Sequence, residues 1–392
     1  MKILTLTTLY PNNIKTNHGV FVEQRLRNLL KIEGIEAKVI APVPWFPFTS
    51  DKFGQYAQFA RIAKSEERYG ISVSHPRYPL IPKVGMTLAP ILMALALYPI
   101  LKRMLQRGEE FDLIDAHYFY PDGVAAAILG KMLNKPVVIT ARGTDINLIP
   151  KYYWPRKMIV WAAKRATSII TVCQALKDEL VVLGIDPTKI HTLRNGVDLE
   201  FFYPQERVQA KQKLKIDRPT LLSVGHLIAR KGHHLVIEAM PDLPEYELLI
   251  AGDGEEMQRL KNLANDLNVS DQVTFLGAVS HNQLVTIYSA VDILVLASSR
   301  EGWANVLLEA MACGTPAIAT NVWGTAEVIT APAAGILIEE QSAQAIVNAV
   351  RIMEKNRASR RETREYAEKF SWDETVHRLY DLFENIIKNQ LA

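Results

Sequence analysis

Cysteine is nearly absent: Cys173 and Cys313 are the only two in 392 residues. Two thiols so far apart make no disulfide framework, and each sits in apolar, helix-like sequence that suits a buried reduced side chain in a cytosolic compartment. Several short motifs are missing as well. No Gly-x-Gly-x-x-Gly follows the first β-branched run, and there is no Gly-Lys-Ser/Thr phosphate loop, no Gly-x-Ser-x-Gly elbow and no Cys/His metal spacing. These absences count against dehydrogenase, nucleoside triphosphatase, esterase and zinc-protein readings. No Lys/Arg run is interleaved with aromatics, so nucleic acid is not the expected partner. Met1 to Thr7 has no charged leader, long apolar stretch or small-residue cleavage site, and reads as a core strand.

What is present is the balance of a packed globular chain, 48% apolar and 22% charged, long enough for two domains. The net charge of +3 conceals an asymmetry. Residues 1–199 carry 26 Lys or Arg against 16 Asp or Glu, and the remainder carries 19 against 26. A basic half can be drawn to an anionic membrane surface or an acidic saccharide, or can simply be a solvated face. The stretch 84–101 holds eighteen residues without a charge, interrupted by Pro90 and Pro99 and followed by Lys102 and Arg103. A helix packed in the core, or one partly set into a membrane surface, fits this better than a span, and core packing is the simpler account.

Short β-branched runs alternate with longer helical patterns, the arrangement of parallel sheets covered by helices. Strands are expected at 2–7, 37–41, 71–75, 113–116, 137–140, 168–171 and 190–193. A polar stretch at 198–217 reads as a linker, and a second set follows at 220–224, 248–251, 273–275, 293–296, 317–320 and 336–338. The fold class is therefore α/β with two doubly wound domains. Loops at the carboxyl ends of such strands are where ligands bind.

Two such loops carry the chemistry. Glu301-Gly302-Trp303-Ala304-Asn305-Val306-Leu307-Leu308-Glu309 sets one carboxylate before an apolar helix and a second on it. Helix-start amides at Ala304, Asn305 and Val306 can hold a diphosphate, Gly302 lets backbone come close, and carboxylates accept hydrogen bonds from hydroxyls. A nucleotide sugar has both kinds of group. The second loop, Gly225-His226-Leu227-Ile228-Ala229-Arg230-Lys231-Gly232, follows the run 220–224 and places two cations where a departing diphosphate would need them. His117, in Asp115-Ala116-His117-Tyr118-Phe119-Tyr120-Pro121-Asp122-Gly123, ends another strand. A surface Arg-Lys pair, a dipole-complementing Glu301, a solvated Glu309 and a structural histidine are the plainer alternatives.

The whole pattern, Ser298 through Pro316, resembles the signature of retaining family 4 glycosyltransferases, and the likeness extends over the chain and is strongest from Leu222 to Ile338. It lies nearest bacterial members that make polysaccharides. The resemblance implies a GT-B fold of two Rossmann-like domains facing a cleft, at 1–203 and 204–372, with a final helix at 373–392 crossing back to the first domain. It also implies that Glu301 meets donor-sugar hydroxyls, that Glu309 accepts both ribose hydroxyls, and that His117 orients or polarises beside donor and acceptor. Gly19, in Asn17-His18-Gly19-Val20-Phe21, matches the segment that approaches the donor phosphate from the first domain; a second adjacent glycine common in the family is absent. Where family members usually carry arginine after the first glycine of the cation loop, this chain has His226, leaving Arg230 and Lys231 as the main phosphate clamps. Asn195-Gly196-Val197-Asp198 matches a family marker before the linker, although Asn-Gly is also an ordinary turn. Gly252-Asp253-Gly254 and Gly277 fall where base contacts are made, and Arg142-Gly143-Thr144-Asp145 is a polar group on the acceptor side.

The expected activity is transfer of a sugar from a nucleoside diphosphate, UDP- or GDP-sugar foremost, to a hydroxyl of a glycan or lipid-linked saccharide. The anomeric configuration would be retained, with no metal and no resident cofactor. The cytoplasm, with peripheral contact at the inner membrane face, is the expected location. A nucleotide-sugar 2-epimerase of the same architecture and a noncatalytic nucleotide- or saccharide-binding protein remain as alternatives.

Overall fold

The computed structural model describes residues 1–80, 85–356 and 358–391. It divides into two compact units, Met1–Arg194 with Asp373–Ala392, and Asn195–Trp372.

The first unit is built on an eight-stranded sheet in the order Ile190–Thr192, Ser168–Thr171, Val137–Ala141, Leu113–His117, Lys2–Leu6, Glu36–Ile40, Ile71–Ser74, Ser65–Arg68. All neighbours are parallel except the last pair. The second unit holds a six-stranded, all-parallel sheet in the order Val273–Gly277, Glu247–Ala251, Thr220–Val224, Ile293–Leu296, Ala317–Thr320, Gly335–Ile338. Strands such as Val137–Ala141, Thr220–Val224 and Ile293–Leu296 are buried at every position. Helices cover both sheet faces, so nothing selects a polar face and the sequence runs apolar without alternation.

Strand order fixes where a ligand can sit. In the first unit Lys2–Leu6 lies between Glu36–Ile40 and Leu113–His117; in the second, Thr220–Val224 lies between Glu247–Ala251 and Ile293–Leu296. At these points the chain's winding reverses, and the loops leaving the two strands diverge to leave a crevice at their carboxyl ends. The segments with Gly19 and His117 leave one such point. Those with Arg230, Lys231 and Glu301 leave the other.

Three details differ from the sequence reading. The polar edge strand Ser65–Arg68 was not expected, because Ser-Glu-Glu-Arg has no apolar member; it pairs antiparallel at the margin, where solvent can take its side chains. The expected linker contains the helix Arg207–Leu214, started by the Glu206 carboxylate, which accepts from the Val208 and Gln209 amides, and pinned where Arg207 meets Asp292 at 2.6 Å. The units part at 194/195 rather than 203/204. The intervening residues are held by the second unit: the Val197 amide donates to Phe370 O, Arg364 donates to the carbonyls of Leu199 and Phe202, and a Cβ on Gly196 would lie 2.6 Å from Trp372 N.

The apolar stretch forms helix Gly85–Gln106, with Pro90 and Pro99 inside it; Val84, its first member in the sequence reading, lies outside the described residues. By length and composition Thr87–Gln106 could cross a membrane. One face, with Met93, Ala94, Leu97 and Leu101, is fully buried against neighbouring elements, while Leu88, Ile91 and Leu95 face outward. Core packing therefore accounts for only one side of this helix.

Candidate active site

In the second unit three loops interlock through glycine. Gly232 closes the cation loop at φ 72°, and a Cβ there would stand 2.0 Å from Ala297 O, on the loop after Ile293–Leu296. Gly252 lies so close to Gly225 that a Cβ would meet its carbonyl at 1.9 Å, and one on Gly254 would meet Leu227 O at 2.4 Å. Only residues without a side chain permit these approaches. Buried His233 braces the same loop. Its Nε2–H donates to His226 O at 3.2 Å, its Nδ1 accepts from Ser223 Oγ at 2.8 Å, and burial lowers its pKa to about 4, so the ring is neutral.

This frame brings Arg230, Lys231 and Glu301 together. Lys231 Nζ lies 2.6 Å from Glu301 Oε1 and Arg230 Nη1 lies 3.8 Å from Oε2, with Arg230 also donating to Arg300 O. Glu301 is buried while both cations remain partly exposed. The cluster thus keeps donor capacity on the cations after neutralising the carboxylate. The His226 side chain is exposed, and its Nδ1 lies 3.3 Å from Asp253 O, away from that cluster.

Helix Asn305–Ala312 follows, with buried Trp303 and Ala304 at its entrance and Gly302, Asn305 and Val306 half-buried. The expected row of three free amides is shorter by one, because the Asn305 amide donates to Trp303 O at 3.2 Å; those of Ala304 and Val306 have no backbone partner among the described residues. The Asn305 side chain accepts from Asn195 Nδ2 at 3.3 Å, which ties the Asn195–Asp198 marker to the helix start. Glu309 is buried one turn in. Tyr288, itself fully buried, donates its hydroxyl to Glu309 Oε2 at 3.1 Å, and Oε1 has no hydrogen-bond partner among the described residues. Burial raises the Glu309 pKa to about 7, against the lowering effect of that bond. Sequence reasoning missed Tyr288; an apolar helix at 281–290 gave no sign that one hydroxyl would face a carboxylate.

In the first unit Gly19 starts helix Val20–Leu29 at φ 72°, where a Cβ would strike the Leu9 carbonyl at 2.3 Å. The loop after the first strand is also held by Asp122, whose Oδ2 accepts from the amide and hydroxyl of Thr8 at 2.7 and 2.9 Å. Complete burial lifts Asp122 to about 8.

His117 closes strand Leu113–His117, buried, with both ring nitrogens engaged. Nε2–H donates to Asp115 Oδ2 at 2.9 Å, and Arg142 donates to Nδ1. Asp115 and His117 are two apart on one strand and so share a face. That spacing could have linked them in the sequence. Burial drives the His117 pKa down to about 4, with the Arg142 and Arg25 cations adding to it and Asp115 opposing. Burial works against the Asp115 carboxylate, but the hydrogen bond from His117 and the two guanidinia outweigh it and hold it below the usual carboxylate range. Arg25 is completely buried, its Nη1 3.4 Å from Thr140 Oγ1. Asp145 steadies Arg142 from behind by accepting the amides of Arg142, Gly143 and Phe119. Among the described residues no cluster of three or more His, Cys, Asp or Glu could hold a metal ion.

Two Rossmann-like units, the second with a cation-carboxylate cluster beside a helix start at its winding reversal, define a GT-B glycosyltransferase. The family models agree: "Glycosyl transferases group 1" matches residues 204–370 and "Glycosyltransferase Family 4" matches 20–201. The chain belongs to this glycosyltransferase family and is an enzyme of that class. It is 30% identical over 89% of its length to a Bacillus subtilis protein assigned to teichuronic acid biosynthesis as the glycosyltransferase TuaC, covering 88% of that protein. Among solved structures, sucrose-phosphate synthase from Thermosynechococcus elongatus superposes with a TM-score of 0.80 at 20% identity, each chain 99% covered. HepE of Anabaena in complex with UDP gives 0.76 at 20% identity, over 98% of this chain and all of that one.

Proposed function

We propose that the enzyme moves a sugar from a nucleoside-diphosphate donor, UDP- or GDP-linked, to a hydroxyl of a glycan or lipid-linked saccharide in bacterial polysaccharide synthesis. The anomeric configuration is retained and no metal takes part. The observation that carries this reading is the cluster of Arg230, Lys231 and Glu301 beside the start of helix Asn305–Ala312. The relative assigned to teichuronic acid synthesis and the UDP-bound neighbour support the polymer role and the type of donor.

The Ala304 and Val306 amides, with Gly302 leaving room and Trp303 walling the entrance, receive the diphosphate together with Arg230 and Lys231. Glu301 accepts from sugar hydroxyls and the free oxygen of Glu309 from the ribose. His226 lies at the margin of the donor. As the acceptor oxygen bonds to the anomeric carbon, the bond from that carbon to the phosphate oxygen breaks on the same face. The departing diphosphate takes the acceptor's proton, so the products are a glycoside and a nucleoside diphosphate, and no carboxylate nucleophile is needed. His117, neutral and held on both nitrogens, positions the end of its strand and does not carry the proton. The domains of the working enzyme are the two compact units, and it acts in the cytoplasm with its basic first unit against the inner membrane face.

A thermal-shift panel of UDP-, GDP-, ADP- and TDP-sugars identifies the donor. With that donor and an acceptor, NMR of the product's anomeric proton reports the configuration. An inverted product, or an isomerised donor formed with no acceptor present, overturns the reading.

A further inference from the structure

Two neighbouring helices of the first unit leave several large apolar side chains in water. Leu88, Ile91 and Leu95 recur at helical spacing along the outer face of helix Gly85–Gln106, Leu95 being 58% exposed. Tyr152, Tyr153 and Trp154 open helix Tyr153–Arg165 at 52%, 62% and 58% exposure. The two helices pack against each other, and both leave loops at the carboxyl end of the sheet. Trp45 and Phe48, also more than half exposed, follow the short strand Val43–Pro44 at that same end. Apolar exposure gathered on two helices that pack together marks an interaction surface rather than a random remnant.

Charge decides what covers it. Residues 68–108 contain six Lys or Arg and no Asp or Glu, and residues 146–177 contain another six with none. These two acid-free segments contain the two helices. Lys157 lies over the rings of Tyr153 and Trp154, and a shallow hollow is lined by Tyr153, Arg156, Lys157 and Val160. Tyr and Trp side chains flanked by cations match the headgroup layer of a bilayer, with apolar bodies inward and charge at the phosphates. A protein partner of ordinary composition would not require the exclusion of every carboxylate from two separate segments.

We propose that the outer face of helix Gly85–Gln106 and the aromatic start of helix Tyr153–Arg165 form a docking face for a bilayer surface carrying anionic phospholipid. The proposal rests on the reading of a transferase working at a membrane, and specifies which surface meets it. Docked this way, the carboxyl end of the first unit's sheet, with Gly19 and His117, is turned toward the headgroups.

The test is co-sedimentation of the full chain with vesicles of phosphatidylcholine alone or mixed with phosphatidylglycerol, alongside donor titration in solution. Wild type binds the mixed vesicles, ignores the neutral ones, and is released by salt. Leu95→Ser with Trp154→Ala, and separately Arg156→Gln with Lys157→Gln, lower the partition coefficient about tenfold or more while melting temperature and donor affinity stay unchanged. Equal binding to both vesicle types, or variants that bind as wild type does, overturns the proposal. A wild-type dimer in sedimentation velocity that the Leu95→Ser/Trp154→Ala variant loses would assign the face to a second copy and overturn it too. Vesicle binding with no donor binding supports the docking face and sinks the donor assignments instead.

Discussion

The polar sites in the two units are built in opposite ways. In the second unit, backbone does the placing: glycines at 225, 232, 252 and 254 let three loops touch, and Arg230 and Lys231 reach solvent from a rigid frame. In the first, side chains do the placing. His117, Asp115 and Arg25 are shut away from water, and half-buried Arg142 joins them by donating to His117. A site whose charges stay accessible can bind a charged ligand. One whose charges are largely consumed internally fixes the shape of what surrounds it, which is why we propose the second unit for the donor and a positioning role for His117.

The contrast can be broken by substitution, and the largest effect is expected in the glycine frame. Gly232→Ala must displace Ala297 O or distort a left-handed residue, and should cost about 3 kcal/mol or more in denaturant unfolding. Gly34→Ala, at a similar φ of 81° but with open space around it, should cost about 1 kcal/mol. Equal losses would show that the loops do not interlock as described.

In the buried network, Arg142→Ala removes the donor to His117 Nδ1 and one of the cations that lower its pKa. The expected result is a higher His117 titration midpoint by NMR and a kcat lower by about a hundredfold, with donor KM little changed. A change confined to donor KM would move His117 into the donor site.

The pH dependence separates the units further. If Glu309 takes the ribose as proposed, it does so best ionised, and donor affinity should fall up to about tenfold per pH unit as pH drops below about 7. Its folded pKa is raised, so the same group favours the free protein at low pH, and that contribution is lost as pH rises from the ordinary carboxylate range to about 7. Glu309→Gln should flatten both trends. Tyr288→Phe removes a hydrogen bond that favours the ionised form and should move the affinity limb to higher pH.

The smallest loss belongs to Asp122. Burial lifts it to about 8, so it is largely protonated at neutral pH. Asp122→Asn should leave stability close to wild type near pH 4, and its gain over wild type should build as pH rises from the ordinary carboxylate range to about 8, where the unfolded wild-type carboxyl is ionised and the buried one is not, and then level off. A large loss at pH 7 would mean the carboxylate is charged.

How much of this was legible in the sequence follows from the same contrast. Parallel strands announce themselves as apolar runs, and Ser168–Thr171, Thr220–Val224, Ile293–Leu296 and Ala317–Thr320 have the bounds expected of them. Backbone-built loops are legible too, because glycine just past a strand's end marks a tight turn or a close approach of backbone. Polar elements are not. The edge strand Ser65–Arg68 and the helix Arg207–Leu214 bury little, so no periodicity marks them. The buried network was the hardest to foresee. Arg25 sits on a short amphipathic helix, where sequence gives arginine a solvated face, and the Asp115 carboxylate that favours its buried charge lies far along the chain on another element. Helix Gly85–Gln106 was half legible: composition showed that it was apolar, and only packing showed that one face has no protein cover.

The central claim is that the second unit's loops hold a nucleoside diphosphate by the helix start and Glu309. Isothermal titration of the full chain with its donor's free diphosphate tests it, comparing wild type with Glu309→Ala and Lys231→Ala. A clear wild-type affinity, weakened about a hundredfold or more by Glu309→Ala and about tenfold by Lys231→Ala, is the predicted result. Binding equally tight in all three proteins would contradict it.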